Sequence, residues 1–184
     1  LNRYRKVTEQ DYGIFMYIKD VDTNYVWSNT YAPINKNSDN YEVVFASDRI
    51  KYLRTDGLIT TTTEIVVSPY HNAEVRKITF RNNSEVNKRL ELTTYTEVIL
   101  SENMDDVSHR VFNNMFISSE WDNKNSALIM KRKSRGDSSI NNYMVSRLII
   151  DSPVDKYSYE TERSRFIGRG YTTSNPISLS EKLS

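Results

Sequence analysis

Along this chain short apolar stretches rich in branched and aromatic residues, near-alternating in places, stand between polar breaks, which predicts strands rather than amphipathic helices. The stretch "GIFMYIKDVDTNYVWS" (13 to 28) sets two apolar segments around the polar "KDVDTN". Asp and Asn there bond their own backbone in turn conformations, so a hairpin is predicted. "YEVVFASDRIKYLRTDGLITTTTEIVVSP" (41 to 69) repeats the pattern with "ASD" and "TDG" as breaks. Its Thr60 to Thr63 run suits an extended strand, because β-branching restricts the side-chain torsion. In the stretch from 73 to 100, Val75, Ile78 and Phe80 precede "NNSEVN", while Leu90, Leu92, Tyr95 and Val98 follow it. This is the strongest hairpin pattern in the chain, and it puts Phe80 in the core.

Further on, the polar "SENMDDVSHR" (101 to 110) predicts a long loop. "VFNNMFISSEW" and "SALIMKRK" predict strands joined by "DNKN", and "NYMVSRLII" and "KYSYETE" predict two more. The tail "YTTSNPISLSEKLS" reads as a connection to something further. Short strands with frequent turns argue for an antiparallel sandwich or an open barrel, an all-β chain in which helix is minor. Thirteen Tyr, with frequent Val, Ile and Thr, strengthen that expectation.

Composition narrows the function classes. The 184 residues suit one domain, 1–184. Twenty-five Lys and Arg against 24 Asp and Glu leave a formal charge of +1, so no global field draws the chain to nucleic acid or to a membrane surface. Cysteine is absent, which removes thiolate catalysis, disulfides and thiolate metal sites, and is compatible with the cytoplasm. No apolar run is long enough to cross a bilayer, and "LNRYRKVTEQ" lacks the apolar core of a secretion signal.

Little catalytic chemistry is legible. His71 and His109 are the only histidines and stand far apart in the sequence; a metal site needs three or four converging ligands, so none is expected. Neither a GxSxG elbow nor a phosphate-binding loop occurs. Glu97, Asp105, Asp106, Glu120 and Glu162 are the carboxylates available for glycosidic chemistry, and spacing promotes none of them over an ordinary solvated surface. The basic "MKRKSRG" (130 to 136) reads as a partner contact or a guarded sheet edge. Trp27 and Trp121 are either stacking platforms for a sugar ring or strand residues in the core. In "YETERSRFIGRG" (159 to 170), Gly168 and Gly170 flank Arg169 just after Arg165. Two of only five glycines in one corner mark a place where the backbone needs unusual torsions or a close approach. The two arginines present planar donors suited to carboxylate, phosphate or sugar hydroxyls.

Six ordered blocks carry a likeness to a known family: "YGIFMYIKDVDTNYVWSNTYAP", "YEVVF", "VVSPYHNAEVRKITFRNNS", "LELTTYTEVIL", "DDVSHRVFNNMFISSE" and "YETERSRFIGRGYTTSNPISL". In order and spacing they resemble the β-sandwich module of glycoside hydrolase family 94, formerly glycosyltransferase family 36, and especially the version in cyclic β-1,2-glucan synthases and 1,2-β-oligoglucan phosphorylases. The resemblance implies a two-sheet, galactose-mutarotase-like supersandwich, shortened before its last strands and standing before an (α/α)6 barrel. It implies that the Asp general acid and the phosphate site belong to that barrel, with inorganic phosphate as co-substrate and no other cofactor. The parent reaction is then inverting phosphorolysis of a β-glucoside or its reverse, and this chain itself holds no catalytic residue. Arg165, Gly168, Arg169, Gly170, His109 and Trp27 become candidate contacts to a β-glucan oligosaccharide or to the barrel, and a homodimer surface is a further expectation. An independent carbohydrate-binding module is the alternative.

Overall fold

The computed structural model describes residues 13–133 and 142–180. The alternating pattern is realised as β1 (Ile14–Asp20), β2 (Tyr25–Ser28), β3 (Asn40–Phe45), β4 (Ile50–Asp56), β5 (Ile59–Val67), β6 (Glu74–Asn82), β7 (Leu90–Thr96), β8 (Ile117–Asp122), β9 (Ala127–Arg132) and β10 (Tyr143–Arg147). Among the described residues helix is confined to α1 (Asn103–Ser108), α2 (Arg110–Asn114), α3 (Arg163–Ile167) and a 3-10 turn at Ile177–Leu179. The strands form three sheets, ordered β2-β1-β7, β3-β4-β5-β6 and β10-β9-β8. The chain gathers into two compact units, one built on Phe15–Tyr95 with the segment that starts at Ile167, the other on Thr96–Phe166.

In the unit built on Phe15–Tyr95 two sheets share a core. Ile18, Trp27 and Ile59 are buried together, with Phe80, Leu90 and Leu92 packed against them, so β1, β2 and β7 meet β5 and β6. The Thr run of β5 is divided by parity: Thr61 and Thr63 are buried, whereas Thr60 and Thr62 are half-exposed. Side chains two apart share a face of a strand, and that spacing turns a uniform tract into an inside and an outside. β1 differs, because every residue from Phe15 to Asp20 is buried. A strand covered on both faces reads as an unbroken apolar run, and "IFMYI" is such a run. Ile18 faces the shared core. Tyr17 donates its hydroxyl to the Thr173 carbonyl at 2.7 Å, and Lys19 donates from Nζ to the Leu179 carbonyl at 2.9 Å, so the segment after Ile167 covers the other face.

Two hairpins use the same turn chemistry. Asp20 pairs with Tyr25 across β1 and β2, and Asp122 with Ala127 across β8 and β9. In the first, Asp20 Oδ1 accepts the amides of Asp22 and Thr23 at 3.0 and 3.3 Å. In the second, Asp122 Oδ1 accepts those of Lys124 and Asn125 at 2.9 and 3.3 Å. Each loop closes on a residue in the left-handed region, Asn24 at φ 56° and Ser126 at φ 49°. The leading Asp satisfies amides that the turn cannot pair, which explains why the polar "DVDTN" and "DNKN" stretches reverse the chain. Burial works against ionisation of Asp20. Hydrogen bonds from Lys88 and from the two turn amides outweigh it and hold the carboxyl below the usual range.

Four expectations need correction. Residues 73 to 100 do not form a hairpin: β6 pairs along its length with β5, and β7 lies beside β1 in another sheet. Asn82 Nδ2 donates to the Val86 carbonyl at 2.7 Å and Asn82 Oδ1 accepts from the Ser84 amide at 3.0 Å, shaping a connection between layers. Alternation marks each segment as a strand and says nothing about its partner. Val75 also lies on the solvent side, 66% exposed, although Phe80 packs on the core as expected. The stretch from 101 to 114 holds α1 and α2 instead of a long loop and the start of a strand; helices this short never complete the repeat by which a helix is recognised. Finally, "KYSYETE" joins no ladder, and α3 follows it directly.

Candidate functional site

The corner at 165 to 170 is the end of a helix. Ile167, 2% exposed, closes α3, and Gly168 then takes φ 87°, the left-handed torsion that commonly ends a helix. The two glycines answer to different constraints. A Cβ on Gly168 would stand 2.8 Å from Ile177 Cγ2, whereas one on Gly170, at φ 82°, would meet nothing within 4 Å. Gly170→Ala is therefore expected to cost only backbone strain, about 1–2 kcal/mol. Gly168→Ala adds overpacking of about 1–3 kcal/mol. Urea denaturation of the two variants checks the order, and equal losses would refute the close approach to Ile177.

Beyond the corner the chain is tied down. Pro176 and Leu179 are buried, and the bonds from Tyr17 and Lys19 hold the backbone onto β1. Burial, with a smaller contribution from Tyr95, pushes the Tyr17 phenol upward, so it stays a neutral donor. Arg169 projects into solvent and has no ion-pair partner among the described residues. Arg165 is also exposed and pairs with Glu162 Oε2 at 3.2 Å, one helical turn away. The glycines thus place Arg169 at the tip of an anchored turn, while Arg165 is spent on its own helix.

The other candidates separate. His109 is exposed and precedes α2, where its side chain makes no cap bond to the helix. Trp27 requires correction as a sugar or barrel contact: it is 1% exposed in the shared core, so no ligand reaches its face. Trp121 is half-buried and stacks on Tyr159, with ring centroids 5.0 Å apart and planes at 12°. Sequence reasoning missed Tyr159 because it assigned that residue to a strand.

Several charged groups in the unit built on Thr96–Phe166 bond within it. Glu97, 9% exposed, accepts from Arg163 Nε at 2.8 Å. Glu162 Oε1 accepts from Ser164 Oγ at 2.6 Å, and Glu160 Oε1 accepts the amides of Thr161 and Glu162, both at 2.8 Å. Asp106 is buried, Glu120 is exposed on β8, and the Asp105 side chain lies outside the described residues. Within the basic stretch Arg132 donates to Asn113 Oδ1 at 2.8 Å and to the Ile99 carbonyl at 3.3 Å, so it clamps α2 instead of facing a partner. Lys131 lies over the Tyr143 ring, and residues 134 to 136 are outside the described set. Among the described residues no three His, Asp or Glu converge as metal ligands, and no helix is long and apolar enough to cross a membrane.

Antiparallel sheets, two of them packed over a shared core in the unit built on Phe15–Tyr95, define a β-sandwich module. The chain belongs to the glycosyl hydrolase 94 family as its supersandwich domain, whose family model matches residues 1–184. It is similar to a cyclic beta-(1,2)-glucan synthase, NdvB, of Rhizobium meliloti (strain 1021), at 29% identity over 164 residues. That match covers 87% of this chain and 6% of the relative's length.

Proposed function

We propose that the chain is a non-catalytic sandwich domain of a carbohydrate-active enzyme of the glycoside phosphorylase or cyclic β-1,2-glucan synthase type. It supports a catalytic barrel on the same polypeptide and contributes to carbohydrate binding or to a homodimer surface. The observation that supports this reading is the engagement of two of its candidate carboxylates: Glu97 is paired with Arg163, and Glu162 is paired with Arg165 and accepts a hydrogen bond from Ser164. A pair of carboxyls that cleaves glycosides must instead keep one free to donate a proton and one to assist from the opposite face. The reaction of the whole protein is then an inverting transfer at a β-glucoside, with inorganic phosphate as co-substrate, in the cytoplasm.

The decisive assay is release of sugar 1-phosphate from β-1,2-glucan and phosphate. The purified chain is expected to release none while the complete enzyme does, and release by the chain alone overturns the reading. Arg169 provides a sharper test of docking. Arg169→Ala is expected to change the chain's stability by no more than about 0.5 kcal/mol, because an exposed, unpaired side chain contributes little to folding. The same change in the complete enzyme lowers activity; full activity there removes Arg169 from the interface. The alternative, an independent carbohydrate-binding module, requires that glucan affinity be the same with and without the rest of the polypeptide and that Arg169→Ala leave the complete enzyme's activity unchanged.

A further inference from the structure

The Trp121–Tyr159 stack has an open side. Trp121 sits half-buried on β8 and covers one face of the tyrosine ring. Tyr159 nevertheless remains 54% exposed, so its opposite face meets water. An exposed aromatic on irregular chain would ordinarily sample many orientations, but the Trp121 ring covers one face of Tyr159 and the chain next to both residues is tied by hydrogen bonds. On the Tyr159 side the next residue, Glu160, accepts the amides of Thr161 and Glu162 at 2.8 Å each. Four residues after Tyr159, Arg163 binds the nearly buried Glu97 at 2.8 Å. On the Trp121 side the following residue, Asp122, holds the β8–β9 turn, and Trp121 itself is in register with Leu128 of β9.

A flat ring held in place before any ligand arrives loses little further freedom on binding, which favours recognition through a small contact area. Its face is electron-rich and its edge carries a hydroxyl. The face of a pyranose ring that bears axial C–H groups is the complementary shape: apolar, slightly positive and rimmed by hydroxyls. A nucleobase would also stack, but single-stranded nucleic acid needs a basic groove as well, and the chain's formal charge is only +1.

We propose that Tyr159, backed by Trp121, is a stacking platform for one pyranose ring of a glucan chain. The choice of glucan rests on the carbohydrate reading above; the platform itself rests on the stack and its anchors. The test is saturation-transfer NMR and titration calorimetry of the 184-residue chain with linear β-1,2-glucooligosaccharides at millimolar concentration, with sorbitol as the ringless control. Ring protons of the oligosaccharide are expected to receive saturation and those of sorbitol are not. Tyr159→Ala is expected to weaken binding about tenfold, while Tyr159→Phe, which keeps the ring, stays within about threefold. Tyr70→Ala, at a residue 89% exposed on the β5–β6 turn, leaves affinity unchanged. Absence of binding by the wild-type chain, an unchanged Tyr159→Ala, equal losses in Ala and Phe, or an equal loss in Tyr70→Ala each overturns the platform. None of these outcomes touches the supporting role, which is read from sugar 1-phosphate release.

Discussion

Arg54→Ala is expected to lower the free energy of unfolding by about 3–5 kcal/mol, read from the midpoint of a urea transition at constant slope. Arg54 is 1% exposed and its partner Asp56 sits two residues on along β4, so both side chains point to the same inner face. The pair is bidentate, Nε to Oδ2 at 2.7 Å and Nη2 to Oδ1 at 2.8 Å. The remaining donors reach the Thr30 carbonyl at 3.0 Å and the Lys36 carbonyl at 3.1 Å. One guanidinium therefore neutralises a buried carboxylate and ties the loop after β2 to the sheet. Truncation leaves Asp56 charged, desolvated and alone, and this unpaired charge is the dominant cost. Replacing both residues, as Arg54→Met with Asp56→Leu, is expected to restore at least half of the loss, because no buried charge remains. A loss under about 1 kcal/mol in the single variant would mean that water reaches the pair, since exposed ion pairs contribute no more than that.

Trp27→Ala is the second large effect, about 3–5 kcal/mol in the same measurement. The indole fills the centre of the core among Ile18, Ile59, Phe80, Leu90 and Leu92, and Tyr25 tilts against it at 5.7 Å. Both sheets contribute to that contact set, so the cavity would open where the layers meet and could not close by local relaxation. Trp27→Phe is expected to cost only a fraction of this. It retains an aromatic ring and removes an Nε1–H for which no acceptor stands among the described residues. A Trp27→Ala variant as stable as wild type would place the ring at the surface and return it to the candidates for sugar stacking.

Particular residues show why the candidate site was only partly legible. The glycines at 168 and 170 correctly marked an unusual backbone, because a torsional requirement is local and leaves a trace in residue type. That Gly168 is crowded by Ile177 while Gly170 is not depends on a neighbour nine residues away in the chain. Trp27 and Trp121 are the same residue type on similar strands. One is enclosed by the opposite sheet and the other is left as the backing of an exposed ring. Glu97 and Arg163 carry no mutual sequence signal across the residues that separate them, yet they form one ion pair.

By itself the amino-acid order determined what short-range physics can decide: where side chains alternate, where an aspartate reverses the chain after β1 and β8, and where a left-handed torsion needs glycine. It also carried the family likeness. Only the tertiary structure decided which strands pair, that β6 and β7 part into different sheets, that the segment after Ile167 covers β1, and which aromatic rings remain open to a ligand. The reason is that burial and pairing are properties of two surfaces brought together. Alternation describes one surface at a time, and the partner is chosen by the packing of the whole chain.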